Sequence, residues 1–187
     1  LNTQLNSSWN LSELNHYFED SPFFNLSGKL FAKTLYKGNM SFNKNFEDYF
    51  MNAEHQTEAQ FKNVKFNYLK SPLDFYIHSA NTNFNNSRID VEESQLSISN
   101  SNLKFIGKID YLIPYLLKKT DKIFIFGDLF SSKIVFDELI TINDNVEGGE
   151  NSTFPEWIDI NLNSQFSKFN YNDFQIYNLT GKINYTD

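Results

Sequence analysis

The chain has 187 residues, and its 23 Asp and Glu outweigh 16 Lys and Arg to give a formal net charge of −7. This acidic balance argues against binding to the phosphate backbone of nucleic acids, which requires clustered cations. Cysteine is absent, which excludes thiol catalysis and cysteine-ligated metal centres. The length suits one domain with a core, or a segment of a longer repetitive sheet. We interpret residues 1–187 as a single segment of a longer protein.

The first predicted elements are a strand, a short helix and a second strand. The opening strand ends near Trp9, and Ser12 is a good N-cap for a helix over Ser12–Phe18. Alternating residues then predict a strand over Asn25–Tyr36, and Lys37-Gly38-Asn39 is a turn signal. Aromatic residues within Phe42–Phe50 have helical spacing, although a strand and loop would also fit.

Short alternating segments follow closely from Ala59 to Ile109. In the first of them the alternation shifts by one residue at Lys62-Asn63, which predicts a β-bulge. The connections between segments are rich in Asn and Ser and are suited to tight turns. Such short connections leave no room for crossover helices, so we predict that these strands form an antiparallel meander.

The C-terminal part contains a second helix signal and three strand signals. A helix is predicted at Pro114–Lys119, with Pro114 in its first turn. Lys122–Leu129 is apolar on both faces and predicts a strand covered on two sides, and residues 143–153 predict a polar loop. Beyond it, one set of side chains is predicted to face the interior and the intervening set to face solvent: Ile158, Ile160, Leu162 and Phe166 against Asp159, Asn161, Asn163 and Gln165. A last strand is predicted from Phe174 to Tyr185.

One short phrase recurs along the chain. Asn25-Leu26-Ser27-Gly28-Lys29-Leu30 returns as Asn178-Leu179-Thr180-Gly181-Lys182-Ile183, and looser copies surround Gly107 and Gly127. Each copy alternates apolar and polar residues around one glycine, as in a strand that is kinked at that point. A strand unit used repeatedly favours a sheet that grows by repetition.

The sequence contains no constellation of catalytic or metal-binding residues. His16, His55 and His78 are dispersed, and the acidic residues of the predicted polar loop lack the spacing of a calcium loop. The isolated glycines within strands cannot build a phosphate-binding loop. We therefore predict a protein that is not an enzyme and that needs no cofactor or metal.

The order of several short motifs resembles the C-terminal part of AsmA-like proteins of the type found in Bacteroidota. The motifs are a short helix at 10–14 before Leu26-Ser27-Gly28, the strand Gly107-Lys108-Ile109 leading into 111–117, the stretch 129–140, Phe154-Pro155-Glu156-Trp157-Ile158, and the closing 178–183. The resemblance spans most of the chain, and the motifs are short and apolar.

This resemblance implies a fold, a location and a function. AsmA-like proteins are similar to bridge-like lipid-transfer proteins, whose antiparallel sheet curls into a U-shaped groove with an apolar inner face. They are tethered to the inner membrane by an N-terminal helix, which would lie outside this segment, and they extend into the periplasm. They are implicated in phospholipid transfer and outer-membrane integrity, so the expected partners are phospholipid acyl chains.

We accordingly expect a mainly β fold, in which an antiparallel meander forms a curved, U-shaped and groove-like sheet with a few short helices. The candidate groove-lining residues lie on the apolar sides of their strands: Leu30, Phe66, Phe75, Phe105, Ile125 and Ile160. For each of them a filled core is the alternative. For the whole chain, the alternatives are a closed β-sandwich that acts as a surface-binding or adhesion module, and a structural spacer.

Overall fold

The described residues form one open, nine-stranded sheet. The computed structural model describes residues 2–18, 23–38, 54–68, 71–85, 87–140 and 157–186. The strands lie in the sheet in the same order as in the chain, and their bounds are β1 Asn2–Asn10, β2 Phe23–Lys37, β3 Glu54–Tyr68, β4 Ser71–Phe84, β5 Arg88–Ile98, β6 Ser101–Asp110, β7 Ile123–Val135, β8 Ile158–Tyr171 and β9 Phe174–Tyr185. The predicted mainly β, open architecture is confirmed. The stretch Phe42–Phe50 and the predicted loop 143–153 lie outside the described residues.

One strand pair departs from the predicted antiparallel meander. Strands β1 to β7 pair antiparallel in succession, and so do β8 and β9, but β7 and β8 are parallel. A parallel neighbour requires a long connection, and the chain between Val135 and Ile158 has the length for one. The short connections predicted antiparallel pairing from Ala59 to Ile109, which is confirmed, and the β7/β8 pair is the exception in a mostly antiparallel sheet.

Three short helices accompany the sheet within the described residues. A 3-10 helix spans Leu11–Phe18, α1 spans Leu112–Leu116, and α2 spans Phe136–Ile140. The first two confirm predicted helices, although α1 begins two residues before Pro114. The third was not predicted. None of these helices is long and apolar enough to cross a membrane.

Two side-chain contacts fix the helices against the sheet. The Asn15 side chain both donates to the Leu26 carbonyl and accepts from the Leu26 amide, at 2.8 Å each. It thereby makes the two backbone hydrogen bonds that a neighbouring strand would make, at a point where β2 extends beyond the end of β1. The Glu138 carboxylate on α2 accepts from the backbone amide and the side chain of Asn100 at 3.0 and 2.6 Å. These hydrogen bonds lower the pKa of Glu138, and they hold α2 on the turn between β5 and β6.

The sheet is bent by irregularities at many of its strand pairs. Register shifts interrupt every ladder from β2/β3 to β6/β7, and a bulge bends the strand that contains it. The predicted irregularity in β3 is confirmed at Asn63, whose φ is 52°. In a regular strand, residues on the same face are an even number of positions apart. Ala59 and Val64 are both buried although they are an odd number of positions apart, so the alternation changes between them. The sheet is therefore curved rather than flat.

Candidate functional site

Strand register aligns three continuous rows of side chains across all nine strands. Directly paired residues place their side chains on the same face of a sheet. The central row contains Ser7, Ala32, Ala59, Thr82, Val91, Gly107, Gly127, Leu162 and Ile183. The first flanking row contains Trp9, Leu30, Phe61, Ala80, Ser94, Phe105, Leu129, Ser164 and Gly181. The second flanking row contains Leu5, Thr34, Thr57, Phe84, Ile89, Ile109, Ile125, Ile160 and Tyr185. We call the face that carries these rows the apolar face.

Charge is segregated to the opposite face. None of the residues in the three rows is charged. The intervening positions carry the ion pairs, such as Lys33 with Glu58 at 3.7 Å and Lys104 with Glu93 at 3.0 Å. Exposed pairs of this kind contribute little to stability. Their main consequence is that the charged side chains lie on one face of the sheet, while the three rows on the other face carry none.

The central row forms a furrow over the first five strands. Its residues there are small: Ser7, Ala32, Ala59, Thr82 and Val91. Ala59, Thr82 and Val91 are each less than a tenth exposed, whereas Ser7 and Ala32 are half-buried. We refer to these five positions as the furrow.

At β6 and β7 the central row consists of two paired glycines covered by one aromatic ring. A β-carbon added at Gly107 or at Gly127 would lie 2.7 Å from the other's Cα, and within 3.0 Å of the Phe105 ring. The two backbones therefore approach too closely for side chains, and the ring fills the space above them. Phe105 also packs in a buried cluster with Val91 and Leu162. Around these two glycines the apolar face is a filled core.

Several hydroxyl groups on the apolar face are hydrogen bonded. Thr34 and Thr57 share a hydrogen bond of 2.9 Å, and Thr82 donates to the Ala59 carbonyl. Ser94 donates to the carbonyl of Phe105 and accepts from its amide, at 2.8 and 3.1 Å. These groups serve the bulges and ladders around them.

The structure places all six candidate lining residues on the apolar face. Leu30 and Phe105 belong to the first flanking row, and Ile125 and Ile160 to the second. Phe66 and Phe75 face each other across β3 and β4 on the same side, with their rings stacked at 5.1 Å. Their common face is established, while contact with a lipid stays a prediction. The alternation predicted one residue per strand but missed the furrow, which only the register reveals.

The predicted orientation of β8 is confirmed at most positions. Leu162 and Phe166 are each 7% exposed, while Asn161, Asn163 and Gln165 are exposed. Asp159 is the exception, because it is half-buried beside the Lys122 ammonium group at 3.4 Å. Strand β7 is less covered than predicted. Its Phe124 and Phe126 are half-buried; the Tyr111 ring packs against Phe124, and Lys108 Nζ lies 4.7 Å from the centre of the Phe126 ring.

No potential metal site of three or more His, Cys, Asp or Glu occurs within the described ranges. His55 lies at the end of the apolar face, where it is 6% exposed and pairs in register with Tyr36. Burial lowers the pKa of His55 below its ordinary value of 6.5.

The lowered pKa of His55 predicts a loss of stability at acidic pH. The unfolded chain binds the proton more readily than the folded chain, so the free energy of unfolding should fall as pH drops below about 6.5. Urea unfolding of the wild type and of His55→Gln, at pH 7.5 and at pH 5.5, measures this contribution. We expect the wild type to lose more stability than the variant over this interval. Equal losses would contradict the assignment.

Shallow depressions lie along the polar face. One of about 600 Å³ lies beside Phe31, Lys33, Glu58 and Gln60. Another of about 630 Å³ lies beside Gln95, Lys104, Phe130 and Gln165. Their charged groups are exposed lysines and glutamates of the kind that form ordinary surface ion pairs. The apolar face is therefore the more distinctive surface.

The chain matches no protein-family model, no curated protein and no solved structure. The geometry of the sheet must therefore carry any argument about function.

Proposed function

We propose that this chain is a non-enzymatic segment of a lipid-transfer protein, and that its apolar face accommodates phospholipid acyl chains. The observation that carries the proposal is the continuity of the three uncharged rows from β1 to β9. An uncharged face of this extent, on an open sheet whose other face carries the charges, is suited to an elongated apolar ligand.

The free energy of lipid burial is large enough to support such binding. Each methylene removed from water contributes about 0.8 kcal/mol. Partial cover of one acyl chain along the face is therefore sufficient for retention. The charged headgroup can remain in water, which avoids the high cost of desolvating it.

The furrow has a suitable length for an acyl chain. It crosses five strands, and four strand spacings of about 4.8 Å give roughly 19 Å. One leaflet contributes about half of a hydrocarbon core of about 30 Å, or roughly 15 Å. Ser7 and Ala32 are half-buried rather than fully covered, so an acyl chain can enter between the flanking rows at this end of the furrow. The filled core around Phe105 supports one end of this arrangement.

The resemblance to AsmA-like proteins supports the same proposal. It implies a periplasmic segment, tethered to the inner membrane by a helix outside residues 1–187, and a role in outer-membrane integrity. The U-shaped curvature of that family agrees with the bulges that bend this sheet. A closed β-sandwich would need a second sheet, and the described strands form a single one.

Native mass spectrometry of the purified chain tests the proposal. We expect co-purified phospholipid in the wild type. Ala32→Phe places a ring in the furrow and should reduce the bound lipid by about tenfold, since it occupies the volume that an acyl chain needs. Lys33→Phe adds the same ring on the polar face and should leave lipid binding unchanged.

Circular dichroism establishes that both variants are folded. Absence of phospholipid from the folded wild type, or equal retention in the two variants, would refute the proposal.

A further inference from the structure

The repeated phrase occupies equivalent places in β2 and β9. Its first residue has a left-handed backbone in both strands, with φ of 55° at Asn25 and at Asn178. Leu30 in β2 and the equivalent Ile183 in β9 lie on the apolar face, as does Leu179 opposite Phe166. The two strands also run in the same direction, because the single parallel pair between β7 and β8 restores the direction of β2 in β9.

This equivalence identifies which edge of β9 lacks a neighbour. With the same direction and the same face, β8 lies on the side of β9 that corresponds to β1 beside β2. The remaining edge of β9 corresponds to the edge of β2 that β3 occupies. Among the described strands, none pairs with that edge of β9.

The surroundings of the glycine in each phrase differ, because a strand lies beside Gly28 and none of the described strands lies beside the same edge at Gly181. A β-carbon at Gly28 would lie 2.7 Å from Val64 Cα in β3, and Gly28 has a φ of +108°. At Gly181 the nearest atom to such a carbon is Ser164 Oγ at 3.9 Å, and φ lies outside that positive range. At position 28 only glycine avoids a clash with the backbone of β3. At position 181 the described neighbours leave room for a side chain.

The edge also lacks the usual protection against strand addition. Lys182 is the one charged residue of β9, and the strand contains no proline. Several of its large apolar side chains are solvent-exposed, including Phe174 at 71% and Tyr177 at 63%. Natural edges are usually protected by charges, proline or cover.

We propose that the open edge of β9 binds an extended, antiparallel protein strand with the pattern of β3, which crosses at Gly181 as β3 crosses at Gly28. The pattern consists of apolar residues facing the apolar face, charged or amide residues opposite, and an Asn able to adopt a left-handed backbone at the crossing. Main-chain hydrogen bonds supply affinity in such strand addition, and the side-chain pattern supplies specificity. The added strand lengthens the three rows by one position.

A labelled synthetic peptide of residues 54–68 serves as the probe, with a scrambled peptide of the same composition as its control. We expect saturable binding to the whole chain by fluorescence anisotropy, and none by the scrambled peptide. Gly181→Ala should weaken binding by about tenfold or more, because its methyl group meets the crossing strand. Thr180→Ala changes the adjacent residue on the polar face and should have little effect. Hydrogen exchange should slow at Leu179–Ile183 when the peptide binds.

Tyr177→Lys is a second variant. It should also weaken peptide binding, because a charge on the exposed edge opposes strand addition. Absence of saturable binding, equal binding of the scrambled peptide, or an unchanged affinity in folded Gly181→Ala would overturn the proposal. A dimer formed through β9 that the peptide does not disperse would overturn it as well, because the occupant would then be a second copy of the chain.

Discussion

Gly127→Val should prevent stable folding or lower the free energy of unfolding by about 3–5 kcal/mol. The backbone φ of Gly127 is +153°, a conformation that side chains with a branched β-carbon avoid. The added β-carbon would collide with the Ile106 carbonyl and lie 2.7 Å from Gly107 Cα. Both atoms belong to the backbone of β6, so relief requires the separation of two central strands. Urea unfolding followed by circular dichroism measures the change.

Gly181→Val is the matched control for this prediction. It introduces the same side chain into another copy of the glycine phrase, where the nearest atom is 3.9 Å from the added β-carbon. Its effect should stay within about 0.5 kcal/mol, as for other exposed positions. A Gly127→Val protein as stable as the wild type would show that β6 and β7 do not approach as described.

Leu162→Asp should cost about 4–5 kcal/mol or more, because it combines the loss of a buried side chain with the burial of a charge. Leu162 is 7% exposed, lies between Gly127 and Ile183 in the central row, and packs against Phe105. Burial penalises the ionised carboxylate. The destabilisation should therefore increase as pH rises from about 4 to 7.

Asn161→Asp is the control for Leu162→Asp, since it places the same group one residue away on the exposed polar face. We expect a change within about 0.5 kcal/mol. Similar melting temperatures for the two variants would contradict the assignment of faces along β8.

Local alternation predicted the strands because each side chain's face depends only on its own position in a strand. This was sufficient for the orientation of Leu162 and Phe166, for the irregularity at Asn63, and for placing Phe105 on the apolar side. The six candidate lining residues share one face for the same reason. These features depend on sequence neighbours alone.

Other features depend on residues distant in the chain and could not be predicted locally. The furrow exists because register places Ala32, Ala59 and Thr82 side by side on three different strands. The parallel pairing of β7 and β8 depends on how the chain between Val135 and Ile158 connects them. Helix α2 was missed because five residues containing Phe136, Leu139 and Ile140 continue the apolar pattern of β7, and its hydrogen bonds to Asn100 come from a distant turn.

The most direct test of lipid accommodation is photo-crosslinking from paired positions on the two faces. A photoreactive residue replaces Leu30 or Ile160 on the apolar face, and Lys29 or Asn161 one residue away on the polar face. Phe105 is avoided, because its ring covers Gly107 and Gly127 and its replacement would disturb the core. Illumination of cells followed by purification and mass spectrometry identifies the adducts. The account predicts phospholipid adducts from Leu30 and Ile160 and none from Lys29 and Asn161; folded protein that yields no adducts, or equal adducts from both faces, would contradict it.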